Sequence, residues 1–63
     1  MTQKELLYLE DAIGHEKNII DICNQTLNYL EDKNLISFMK NEIEHHNQEH
    51  MKLLNFLEGK ANE

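Results

Sequence analysis

Through 63 residues without a proline, apolar side chains recur at alternating spacings of three and four, and only Asp32-Lys33-Asn34 breaks the rhythm convincingly. That period is the period of a helix face, so the chain is expected to be all-α. From Leu6 a first seam reads Leu6, Leu9, Ile13, Glu16, Ile20, Cys23, Leu27 and Leu30. A second line runs beside it through Tyr8, Ala12, His15, Ile19, Ile22, Thr26 and Tyr29. After the break, Ile36, Met39, Ile43, His46, His50, Leu53 and Leu57 form another seam, widened at its ends by Leu35, Phe38 and Phe56.

Local chemistry sets the expected boundaries. Thr2-Gln3-Lys4-Glu5 has the form of a capping box, which starts helix 1 near residue 3 and lets it run to about 31. The turn is expected at about 32–34, with Asp32 or Asn34 capping a second helix over about 35–58. Gly59 is placed to end that helix in the left-handed conformation, leaving a polar tail, 59–63. So short a loop makes the two helices antiparallel neighbours, and the whole chain 1–63 one helical hairpin. Gly14 costs about 1 kcal/mol relative to alanine inside a helix, and it either admits a close backbone approach or has no role.

Size makes such a hairpin marginal alone, because a domain this small buries only about 60% of the surface its unfolded chain exposes. Two hairpins pairing into a four-helix bundle are the expected remedy, with Leu6, Leu9, Ile13, Ile20, Leu27, Met39, Ile43 and Leu53 building the homodimer. A disulfide within the chain is excluded, since Cys23 is the sole cysteine; its seam position makes it a small core hydrophobe. Twelve acidic against six basic side chains give a net charge of −6, which argues against nucleic-acid or anionic-membrane partners. No stretch approaches the roughly 20 apolar residues of a membrane span, and no signal-peptide pattern opens the chain. An intracellular site of synthesis and residence is expected.

Glu16 interrupts the first seam, and His46 and His50 interrupt the second, beside Glu42, His45 and Glu49. With a turn centred near residue 33, residue i faces residue 66−i, which sets Glu16 against His50 and Ile20 against His46. Carboxylate and imidazole together suit iron, manganese or zinc, and facing helices of a bundle are where such sites are built. The metal candidates are therefore Glu16, His46, Glu49 and His50, with Glu42 and His45 as a second choice. Glu42-Ile43-Glu44-His45 has the Glu-x-x-His form of paired-carboxylate bundles, but in this register Glu42 faces residue 24, about two turns from Glu16. Glu49 is at a better level, yet Lys52 stands where its histidine is needed. A polar layer that fixes register, with no cofactor, is the preferred reading of the cluster. His46-Asn47-Gln48-Glu49-His50 also matches a zinc-protease string, and one hairpin offers no cleft for that chemistry. Tyr8 and Tyr29 read as packing residues with wet hydroxyls.

The run from Thr2 to Ala12, followed by His15-Glu16, resembles the opening of small clostridial spore-coat proteins related to the coat F family. Asp32-Lys33-Asn34-Leu35 stands where that family commonly has Asp-Pro-Glu-Leu, and His46-Asn47-Gln48 through Leu53, Asn55 and Leu57 is similar to its His-Gln-Gln segment and final leucines. The likeness covers about residues 2 to 57. Glu16 and His46 fall on matching positions, whereas Lys33 replaces the proline and Glu49-His50 is less general. It implies a ferritin-like helical hairpin that pairs into a four-helix bundle and a coat or forespore-associated role, and no catalytic residue carries over; a non-enzymatic, homodimeric structural protein of the spore-coat type is the leading expectation. Two other functions stay open: a ferritin-like metal-binding protein, and an adaptor whose apolar line engages other coat proteins.

Overall fold

A computed structural model of the chain describes residues 1–61. It contains two helices, α1 (Gln3–Leu27) and α2 (Lys33–Ala61), and among the described residues no strand. At 1.5 Å per residue they are about 38 and 44 Å long, which accounts for a slender body of 47 × 15 × 11 Å. The radius of gyration, 14.6 Å, exceeds the roughly 10.6 Å of a compact domain this long. The all-helical hairpin expected from the periodicity is what forms.

Helix α1 starts as its capping box requires. Thr2 Oγ1 accepts from the Glu5 amide at 3.1 Å, and Glu5 Oε1 accepts from the Thr2 amide at 2.8 Å. The same bond from the Thr2 amide, followed by one from its hydroxyl, holds the Glu5 carboxyl below the usual carboxylate range.

Its end comes four residues before the expected one. Asn24 Nδ2 and Thr26 Oγ1 donate back to the carbonyls of Ile20 and Ile22 at 3.0 and 2.8 Å, a contact that weakens the helical ladder. The amides of Asn28, Tyr29 and Leu30 then tighten onto the carbonyls of Gln25, Thr26 and Leu27. Asn28 is the C-cap, in ordinary right-handed geometry.

Helix α2 begins earlier and ends later than expected. Asp32, one of the two candidate caps, takes the role: Oδ1 accepts from the Leu35 amide at 2.9 Å and its carbonyl from the Ile36 amide at 2.9 Å. At the other end α2 runs through Gly59 to Ala61, and no glycine has positive φ, so Gly59 does not terminate the helix. Asn62 and Glu63, part of the expected polar tail, lie outside the described residues.

Every member of both seams is half-buried, from Leu6 to Leu30 and from Ile36 to Leu57, and among the described residues no side chain is fully buried. The two helices cover one another along a single contact plane. Gly14 lies off that plane, and a Cβ there would meet nothing within 4 Å, so close backbone approach is not its reason.

Three outcomes follow from these local contacts. Gly14→Ala is expected to raise stability by about 1 kcal/mol in urea denaturation, since it adds helix propensity without a clash. Asp32→Ala is expected to lower it by about 1 kcal/mol through loss of the cap. Because Glu5 is held low in the folded state, its contribution is complete above the unfolded value of about 4.3 and is lost as pH falls through the lowered folded value. In Thr2→Ala, which removes the hydroxyl and keeps the backbone amide, the Glu5 carbon resonance should titrate higher than in the unmodified chain and still below the ordinary value.

Candidate functional site

The polar break in the two seams closes into a cross-helix pair, one helical turn from its expected register. Glu16 meets His46, with Oε2 and Nδ1 2.6 Å apart. Residue i therefore faces about residue 62−i, and not 66−i. The cause is the turn: it occupies Asn28 to Asp32, earlier than the expected 32–34, and the observed pair is centred on residue 31 in place of 33, so the pairing slides by four. Glu16 faces His46 in place of His50, and His50 comes level with Ala12.

Both members of the pair are mostly shielded, with Glu16 21% and His46 23% exposed at their side chains. A carboxylate can only accept, so the proton lies on His46 Nδ1 and the ring donates to Glu16. That leaves Nε2, which faces Glu42 Oε2 at 3.8 Å, one turn back on the same helix. The distance is too long for a hydrogen bond, and the two groups attract only when the ring carries a second proton on Nε2. His46 thus stands between two carboxylates, and His45 touches it edge-on, with ring centroids 5.6 Å apart.

The remaining candidates are placed differently. Glu49 Oε1 lies 3.3 Å from Lys52 Nζ on the solvent side of α2. His50 is half-buried, and His15 and His45 are exposed. Cys23 is a half-buried free thiol, as its seam position implied. Among the described residues, no three His, Cys, Asp or Glu side chains stand close enough to hold one ion. A protomer therefore offers two donors, His46 Nε2 and Glu42, backed by Glu16; a closed metal site takes about four.

In the expected register Glu42 lies opposite residue 24. In the observed register it faces residue 20, next to the Glu16 level. Its spacing of four before His46 is the signal that could have found it, since such pairs are neighbours on any helix.

Comparison of the chain with protein-family models, curated proteins and solved structures finds no match.

The pair is expected to act as a unit. Glu16→Ala and His46→Ala should each destabilise the hairpin, and a double-mutant cycle should give a coupling of about 1 to 2 kcal/mol, as suits a partly shielded charge-assisted bond. Glu16→Leu with His46→Leu should recover most of that loss, because both polar groups leave together. Chemical denaturation of the four variants reads all of these values.

Proposed function

We propose that the chain is a structural assembly unit that functions by self-association, two hairpins forming a four-helix bundle, in a protein of the spore-coat type. The observation that carries this reading is the state of the apolar surface. Seam residues are only half-buried, and Tyr8, Ile22, Phe38 and Phe56 are each more than half exposed. The accessible surface is 5096 Å², against about 4250 Å² for a compact monomer of 7.5 kDa, an excess of roughly 850 Å². Large apolar side chains left in water favour association by about 25 cal/mol per Å² buried.

Assignment to the spore coat is supported by the likeness of residues 2–57 to the coat F group, with Glu16 and His46 on matching positions. The geometry suits a passive role. No helix among the described residues is long and apolar enough to cross a membrane.

A second reading has its own observation. His46 gives Nδ1 to a carboxylate and turns Nε2 toward Glu42, the orientation in which histidines serve as metal ligands with a carboxylate behind them. A second copy would double the two donors and complete a set suited to iron, manganese or zinc. In that reading Glu42 and His46 bind and Glu16 orients, whereas Glu49 and His50 are not drawn in.

Sedimentation equilibrium from micromolar to millimolar chain tests the first reading. A dimer with cooperative, concentration-dependent unfolding is expected, and a folded monomer throughout that range would overturn it. Metal analysis of untagged protein, with reconstitution by each ion, tests the second: about one ion per dimer, lost in His46→Ala, supports it, and none after reconstitution removes it.

A further inference from the structure

At 100° per residue, the line Tyr8, Ala12, His15, Ile19, Ile22 and Thr26 lies about 100° around α1 from its seam. On α2 the line Leu35, Phe38, Glu42, His45, Glu49, Lys52 and Phe56 lies about 100° from its own seam, in the same rotational sense. Since the helices are antiparallel, equal rotations bring both lines to one side of the hairpin. A shallow groove lined by Met1, Glu5, Leu9, Phe56 and Lys60 joins the helices on that side at the open end. The face is apolar at its two ends and charged in the middle. Its large apolar members are exposed, Tyr8 at 62%, Ile22 at 61%, Phe38 at 58% and Phe56 at 56%, with the ammonium groups of Lys4 and Lys60 over the Tyr8 and Phe56 rings.

We propose that a second copy docks on this face with α2 antiparallel to the partner's α2, about a two-fold axis perpendicular to the helices at the level of His15 and Asn47. The proposal rests on the self-association reading and adds the face, the orientation and the register. Residues 15 and 47 are the midpoints of Gln3–Leu27 and Lys33–Ala61, and they are level in the register that Glu16 and His46 set.

The α2 line is its own complement when reversed about Asn47. Phe38 falls opposite the partner's Phe56, Glu42 opposite the partner's Lys52, and His45 opposite the partner's Glu49. On α1 the same axis sets Tyr8 opposite the partner's Ile22 and Ala12 beside the partner's Ile19, with His15 near its own copy. Apolar ends meet apolar ends, and each acid meets a base. A two-fold parallel to the helices has no such match: it lays Glu42 over the partner's Ile19 and Glu49 over the partner's Ala12, desolvating carboxylates without a partner. The area also fits a second copy, since the excess of roughly 850 Å² per protomer equals the ~800 Å² that one side of a standard interface covers.

Charge reversal tests the register. Glu42→Lys and Lys52→Glu are each expected to raise the dimer dissociation constant about tenfold at low salt, because each creates two like-charged contacts. The combined variant should return to within about twofold of the unmodified chain. Within one chain, Glu42→Lys loses the contact with His46, Lys52→Glu loses the contact with Glu49, and the combined variant loses both, so intrachain contacts alone would make the combined variant no better than either single one. Restoration therefore reports only contact across the interface. A chain that dimerises, but whose combined variant stays as weak as the single ones, overturns this register and leaves self-association standing. A chain that stays monomeric at millimolar concentration assigns the face to a different partner and overturns both.

Discussion

One short hydrogen bond, from His46 to Glu16, decides how two otherwise repetitive helices lie against each other. Apolar seams spaced by three and four look much the same after a slide of one turn, so burial alone separates neighbouring registers weakly. A polar pair separates them strongly. A shielded imidazole or carboxylate left without its partner costs about 1 to 3 kcal/mol, a large share of what a small domain has. In the observed register His46 finds Glu16 on one nitrogen and Glu42 near the other, while His50 stays half-buried at about the level of Ala12. With Glu16 against His50, His46 would face Ile20 and lose its acceptor.

Two helices have only one contact plane, and that limits what packing can do here. Each seam residue is covered from one side, which leaves even Ile13 and Ile43, near the middle of the hairpin, half-buried. Ordinary closure of such a body means more helices, which in the proposed assembly come from a second copy. The height of the polar groups then matters. Glu16 and His46 occupy the middle of the inner seam, and Glu42, His45, Glu49 and Lys52 occupy the same middle levels of the open face. A neighbour displaced by one turn would set these charges against Phe38 or Phe56. Polar middles of this kind add little stability and discriminate strongly between arrangements.

Much of this was readable in the chain. Every seam position named from periodicity, Leu6 through Leu30 and Ile36 through Leu57, is half-buried, and the Thr2–Glu5 capping box forms in full. The strength of that signal is that it accumulates over seven or eight positions per helix. The turn rests on few residues. Asn24, Thr26 and Asn28 are poor helix formers whose side chains compete for the backbone, yet any one of them is tolerated inside a helix, so the stop at Leu27 is a balance of small terms. Small boundary errors are then amplified in the site. Moving the turn centre by two residues slides each cross-helix pair by four, one whole turn, which is why Glu16 was matched with the wrong histidine while the seams themselves were right. Gly59 illustrates a different limit: glycine permits a left-handed ending but does not compel one, and with no φ reversal the helix continues to Ala61.

The chemistry of His46 follows from its tautomer. Because Glu16 can only accept, the ring proton is held on Nδ1, and Nε2 is left as the group that meets whatever approaches from Glu42 and the open face. In a purely structural bundle that nitrogen needs a donor, from water or from a partner side chain, and the ring serves to lock height. If an ion takes the same place, Nε2 already points to it, so Glu16 serves both ends without rearrangement. The difference between scaffold and metal site therefore lies in how many donors a second copy brings to the Glu42 side of the ring. In the proposed antiparallel α2 pairing, His46 lies one residue from the level of the axis at Asn47, so the geometry of assembly and the chemistry of the polar layer are one question.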